Sequence, residues 1–303
     1  MIARNNFLAA LLSAVFVVGS TGQTNLPAKP PMTLSAPVSS LKLESKLMAR
    51  GMPYRIILPA NYVYVDETTR YPVIYLLHGL TGHFSNWTDK TQLAEYALRH
   101  NFIIVTPEGD NGWYTDSVSA PNDKYESYVL KELIPEIDRK YRTVADREHR
   151  VIAGLSMGGY GAIKFGLKYP DKFSLIGSFS GALGATDLDK GIPPNQPITS
   201  FLGVVQTSLG HTFGPQGSES RNSNDIYKMA RDLTPEKVKA LPYIFESCGT
   251  EDMLIGSNRD FLAILSDKKV PHEYREHPGI HDWVFWNDQI REFLDLAERR
   301  LKK

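Results

Sequence analysis

The stretch RVIAGLSMGGYGAIKFGLKYP, residues 150–170, decides the fold. Its first six residues are an apolar, β-branched run of the kind buried on both faces of a sheet. From Met157 to Tyr169 the residues suit a helix, which Pro170 closes. The junction reads Gly154-Leu155-Ser156-Met157-Gly158, so a serine stands between strand and helix on a tight turn that exposes its hydroxyl. A Cβ at position 154 or 158 would collide with neighbouring backbone in such a turn. The helix start also aims free N–H groups and the positive end of its dipole at negative charge developing beside the serine.

Working outward, Pro72–His78, Phe102–Thr106, Phe173–Phe179 and Leu241–Cys248 are further apolar runs expected as buried strands. Ser40–Lys46 and Pro53–Leu58 read as antiparallel edge strands joined through Arg50-Gly51. Helices are expected over Thr91–Arg99, about Asp123–Tyr141 with a kink or break at Pro135, about Ser257–Leu265, and Asp282–Leu301. Strand and helix alternate at short spacing, which predicts an α/β fold: a mostly parallel sheet with helices on both faces. Residues 181–236 differ. They are rich in Gly, Pro, Ser and Asn with weak periodicity, and read as a loop-rich, cap-like insertion between two core strands.

A serine on such a turn needs an oxyanion hole, a base and an acid. The run Pro72–His78 ends in His78-Gly79-Leu80, so the N–H of Leu80 can join that of Met157 as donors. His78 itself, at a strand end, reads as a packing residue. This fold orders its partners Ser…Asp/Glu…His, which leaves His272, His277 and His281. His281 follows Gly279-Ile280 at a loop entering the last helix, the expected position. His272 falls in an extended segment and His277 just before Pro278. The acid must follow the strand ending at Cys248, which leaves Glu251 and Asp252. Cys248 has no adjacent cation to activate it and reads as a buried thiol.

The 303 residues are 42% apolar and 22% charged, ordinary globular values that argue against a wholly disordered or fibrous chain. Lys+Arg and Asp+Glu are both 34, so bulk charge draws the chain to neither nucleic acid nor an anionic membrane. One cysteine excludes an intrachain disulfide and a Cys-rich metal site. No HExxH, P-loop or GxGxxG pattern calls for a metal or nucleotide cofactor. Arg4 followed by the 13-residue run Phe7–Gly19 reads as a signal peptide over residues 1–22, too short for a stable membrane anchor. Export to the periplasm or the medium is the expectation. Residues 23–37 read as an extended linker and 38–303 as the folded domain.

The segments YLLHGLTGHFSNW (75–87), DNGWYTDS (110–117), AGLSMGGYGA (153–162), FSGALG (179–184), SCGTEDMLI (247–255) and GIHDWVFW (279–286) carry a resemblance. From about residue 38 to 298 the chain resembles the esterase D-like branch of the α/β-hydrolases. That branch includes tributyrin esterases, S-formylglutathione hydrolases, feruloyl and acetylxylan esterases, and mycolyltransferases; the tributyrin esterases look closest. The resemblance implies Ser156 as nucleophile, Asp252 as acid, His281 as base, and Leu80 and Met157 as oxyanion donors. It implies hydrolysis of small-molecule or carbohydrate esters through an acyl-enzyme, without a cofactor. Short acyl chains are expected from the 181–236 stretch itself, where Phe201, Leu202, Val204, Val205, Leu209 and Phe213 line a small acyl pocket or pack the cap and the rest is too polar for a long lipase lid. Trp113, Tyr114 and Trp283 are expected to line the cleft. Two alternatives keep the same triad: acyl transfer to a sugar or glycerolipid alcohol, as in mycolyltransferases, and thioester hydrolysis, as in S-formylglutathione hydrolases. The expected signal peptide and the long 181–236 segment stand against the second. A carbohydrate-binding protein on a hydrolase scaffold is a third reading, against which the intact Ser156, Asp252 and His281 stand.

Overall fold

A computed structural model describes residues 36–301. The expected signal peptide lies outside them, as does all but the end of the expected linker. Ala36, within that linker, is already buried and donates its N–H to Ala94 O at 2.7 Å. Eight strands form one sheet: β1 (Val38–Ser45), β2 (Arg50–Ile57), β3 (Val73–Leu77), β4 (Ile103–Pro107), β5 (Arg150–Leu155), β6 (Leu175–Phe179), β7 (Tyr243–Gly249) and β8 (His272–His277). Their order is β1-β2-β4-β3-β5-β6-β7-β8. The β1–β2 and β2–β4 pairs are antiparallel and every other neighbour is parallel. The β1–β2 turn is Lys46–Ala49, and Arg50-Gly51 lie inside β2 rather than in the turn.

The helices are α1 (Asn86–Lys90), α2 (Leu93–Tyr96), α3 (Tyr125–Tyr128), α4 (Ile134–Lys140), α5 (Met157–Lys168), α6 (Phe201–Phe213), α7 (Glu219–Ser223), α8 (Ile226–Arg231), α9 (Pro235–Ala240), α10 (Ile255–Asp267) and α11 (Trp283–Leu301). The alternation of side chains along central strands splits the core into two layers. Tyr75, Leu77, Ile152 and Ile176 pack with Met157, Tyr160 and Ile163 of α5. Ile74, Leu76, Ala153 and Leu175 pack with Ile290, Phe293 and Leu294 of α11. Burial on both faces explains why β3, β4 and β5 read as unbroken apolar runs.

Three expectations change. The expected helix near Asp123–Tyr141 is α3, a π-helical turn over Val129–Leu133, then α4 with Pro135 in its first turn. The wide turn lets a proline, which has no N–H to give, sit in a continuing helix. The expected helix Thr91–Arg99 is replaced by α2 and a short 3₁₀ turn, with α1 before it. The 181–236 segment is loop over most of 181–200 but then carries α6, α7, α8 and the first two residues of α9. Each of these starts at a side chain accepting a backbone N–H: Ser200 from Gly203, Ser218 from Arg221, Asp225 from Lys228 and Thr234 from Lys237. Among the described residues no helix is long and apolar enough to cross a membrane.

Candidate active site

Ser156 sits between β5 and α5 with φ 52° and ψ −116°, a region that L-residues rarely adopt. The turn is held from both sides. Ser156 N–H donates to Phe179 O at 3.0 Å, and Ala182 N–H donates to Ser156 O at 2.9 Å. A Cβ on Gly154 would lie 2.5 Å from the Gly158 backbone, and one on Gly158 would lie 2.5 Å from Leu77 O. Neither position tolerates a side chain, which is the steric reason for glycine on both sides of the serine.

His281 reaches Ser156 from the turn before α11. Its Nε2 lies 3.0 Å from Ser156 Oγ, and its Nδ1 lies 2.9 Å from Asp252 Oδ2 and 3.1 Å from Oδ1. Asp252 follows β7 and is buried, at 2% exposure. Burial works against its ionisation, but the His281 contact and the Leu254 N–H donated to Oδ1 at 2.8 Å hold the carboxyl below its ordinary value. Glu251, the other acid left open by position, is exposed and accepts the N–H of Gly279 at 2.7 Å instead. His272 Nδ1 meets Val270 O at 2.7 Å, and His277 lies 3.6 Å from Glu292. Burial pushes the Cys248 thiol up to about 12, with the Asp252 charge adding to it.

Leu80 follows β3 in a loop that passes beside the serine, and a Cβ on Gly79 would lie 3.3 Å from Ser156 Cβ. Met157 opens α5, where the first N–H groups have no helical acceptor. The Leu80 N–H makes no hydrogen bond among the described residues. Both expected donors therefore belong to backbone flanking the serine.

Sequence reasoning set His78 aside as packing and passed over Glu108. The two are buried at 1% and 6% exposure, with His78 Nε2 2.9 Å from Glu108 Oε1 and Nδ1–H donating to Gly79 O at 2.8 Å. Glu108 also accepts the N–H groups of Gly109 at 3.0 Å, Asp110 at 2.9 Å and Phe84 at 3.3 Å. Burial opposes its charge, yet His78 and these donors bring its carboxyl down to about 2. The pair pins both ends of the loop that carries the Leu80 N–H. Glu108→Gln is therefore expected to lower kcat about tenfold while moving KM less than threefold, since an oxyanion donor acts in the transition state. Steady-state kinetics beside a melting curve checks this, and an unchanged kcat would dismiss the role.

The serine opens into a cavity of about 480 Å³. Trp113 lines it, with Nε1–H donating to Ser208 Oγ of α6 at 3.0 Å. Trp283 lines it too. Tyr114 does not, contrary to the sequence expectation. It is fully buried and its hydroxyl donates to His78 O at 3.1 Å. Trp113 and Tyr114 both have positive φ, 52° and 48°, so the chain twists sharply between one residue at the cavity and one beneath the oxyanion loop. Lys164 of α5, wholly buried, braces this twist by donating to Tyr114 O at 2.8 Å and to Glu126 at 2.6 Å. Lys164 is a residue the sequence reading missed; its place within an apolar helix face was the available signal. Among the described residues no group of three or more His, Cys, Asp or Glu side chains is placed to hold a metal.

The sheet order, the strained serine and the Ser–His–Asp line of contacts define an α/β-hydrolase with the layout of a serine hydrolase. An esterase family model matches residues 45–295, and the chain belongs to that family as a carboxylic ester hydrolase. It is 29% identical over 260 residues to an acetyl esterase of Caldicellulosiruptor saccharolyticus, covering 84% of this chain and 95% of that protein. A ferulic acid esterase structure superposes with TM-score 0.72 at 26% identity, over 88% of this chain and all of that one. The fluorophosphonate-binding serine hydrolase FphF of Staphylococcus aureus, in a substrate-bound structure, gives 0.75 at 25% identity, over 87% of this chain and 98% of that one.

Proposed function

We propose that the chain is a serine carboxylesterase acting on short acyl esters through Ser156, His281 and Asp252. The observation that carries this reading is the unbroken contact line from Asp252 Oδ2 through His281 to Ser156 Oγ, at 2.9 and 3.0 Å, on the floor of an apolar cavity. Neutral His281 takes the Ser156 proton as Oγ attacks the ester carbonyl. The N–H groups of Leu80 and Met157 hold the oxyanion, and His281 then protonates the departing alcohol. Water, activated by the same imidazole, releases the acid. Asp252 keeps the Nδ1–H tautomer in place and balances the charge on the ring. Export is part of this proposal and rests on Arg4 and the run Phe7–Gly19, which lie outside the described residues.

Acyl length follows from the apolar part of the cavity lining. Leu188, Ile192, Phe201, Leu202 and Val205 line the cavity with apolar groups. The acetyl esterase relative supports acyl chains from acetyl to about hexanoyl. Hydrolysis of p-nitrophenyl esters from acetyl to palmitoyl, with Ser156→Ala as the blank, is expected to peak at six carbons or fewer. Higher kcat/KM on palmitoyl than on butyryl ester would overturn this, and equal rates for Ser156→Ala would overturn the nucleophile.

A further inference from the structure

We infer that the enzyme selects esters whose alcohol portion carries a carboxylate, through a subsite built from Asn86, Lys90 and Trp283. This deepens the reading of Ser156 and His281 given above and rests on it. His281 must deliver its proton to the departing oxygen, so the alcohol portion lies on the imidazole side of Ser156. That side of the cavity differs from the apolar wall of α6. Trp286 stands edge to face with His281 at 4.9 Å, and Trp283 with Trp286 at 5.1 Å. The Lys90 ammonium lies 5.3 Å from the centre of the Trp283 ring. A departing ring or sugar laid along Trp283 therefore points toward Lys90.

Three features make this end a place for an anion. Lys90 is the one Lys or Arg among the described lining residues, and it makes no ion pair there. Asp89, its chain neighbour, is engaged by Arg55. Asn86, one turn earlier on α1, is 8% exposed and lines the same cavity. Its Oδ1 accepts the His83 N–H at 2.9 Å, which turns its Nδ2–H₂ the other way, with no acceptor among the described residues. An amide donor free of any partner among the described residues, carried by a residue 8% exposed and one helical turn from an ammonium with no ion pair, matches two oxygens of one carboxylate. Asp282 also lines the cavity, but its Oδ1 accepts the Phe285 N–H at 3.0 Å at the start of α11, so its charge is turned to that helix end.

The chemistry stays balanced. The ester C–O bond to the carboxylated alcohol breaks as Ser156 Oγ bonds the acyl carbon, His281 returns the serine proton to the departing oxygen, and water later hydrolyses the acyl-enzyme. The products are the short acid and a hydroxy acid.

The test compares p-nitrophenyl butyrate with 3-carboxy-4-nitrophenyl butyrate, which adds one ring carboxylate to the departing phenol. Wild-type enzyme is expected to favour the carboxylated ester in kcat/KM by about fivefold at low salt, with the ratio falling as ionic strength rises. Lys90→Gln is expected to bring the ratio to about one, Lys90→Glu to invert it, and Lys90→Arg to restore it. Each variant supplies its own neutral-ester reference, so a general loss of activity leaves the ratio readable. A ratio that Lys90→Gln and Lys90→Glu leave unmoved would overturn the subsite alone. Failure of the wild-type enzyme to turn over either ester would overturn the esterase reading and the subsite together.

Discussion

Asp252→Asn is expected to lower kcat on p-nitrophenyl butyrate by up to about 10⁴-fold with the fold intact. The wild-type carboxylate accepts the His281 Nδ1–H at 2.9 Å and takes a backbone N–H from Leu254 at 2.8 Å. An amide keeps the shape but offers one acceptor and one donor. If its oxygen stays with Leu254, its NH₂ faces His281 Nδ1 and drives the ring to the other tautomer. Nε2 then carries a proton and cannot take the one on Ser156 Oγ, 3.0 Å away. The imidazolium formed in the transition state also loses its counter-charge in a site where Asp252 is 2% exposed. Glu251→Gln is the control. Glu251 holds the Gly279 N–H at 2.7 Å, two residues before His281, so its loss loosens the turn and costs tenfold at most. Steady-state kinetics on both variants, with circular dichroism to confirm folding, decides between the two acids. Near-normal turnover by folded Asp252→Asn would move the acid elsewhere.

Much of this architecture can be read from residue order because its strongest constraints are local. The turn at Ser156 needs glycine four residues apart, and those glycines meet backbone, so no other residue type satisfies the site. Strands β3, β5 and β6 are covered on both faces and leave unbroken apolar runs. What escaped reading depends on contacts between distant residues. His78 and Glu108 meet across 30 positions, and nothing in PEG at 107–109 marks a carboxylate that collects three backbone N–H groups. Strand β8, HEYREH, alternates charge rather than apolarity because it is an edge strand whose Arg275 pairs with Glu292 of α11. Helix α6 hid because Phe201 and Leu202 face the cavity and break the apolar stripe expected of a surface helix. The caps were visible all the same: Ser200, Ser218, Asp225 and Thr234 stand where α6, α7, α8 and α9 begin.

Glu246→Gln is expected to stabilise the enzyme strongly at alkaline pH and by no more than about 1 kcal/mol at pH 5. Glu246 lies in the middle of β7, in register with Ser178 on β6 and Tyr274 on β8, at 1% exposure. Its Oε2 has no hydrogen-bond partner among the described residues, and no cation makes an ion pair with it there. Burial alone pushes the carboxyl up to about 8, so the folded chain holds a proton that an unfolded chain releases near 4.3. The sign follows from proton counting. Below about pH 4 both states are protonated and the group costs nothing. Between about 4 and 8 only the folded state keeps the proton, and stability falls by about 1.4 kcal/mol for each unit rise in pH. Above pH 8 the loss levels off, on the order of 5 kcal/mol in total. Glutamine keeps the volume and never ionises, so this slope disappears. For a domain of this size the gain is a Tm about 10 °C higher at pH 8.5. Melting curves for both proteins at pH 5 and pH 8.5 give the difference directly. Parallel curves, with the same offset at both pH values, would mean that Glu246 keeps its ordinary proton affinity and that a water or a shift of the chain reaches it inside the sheet.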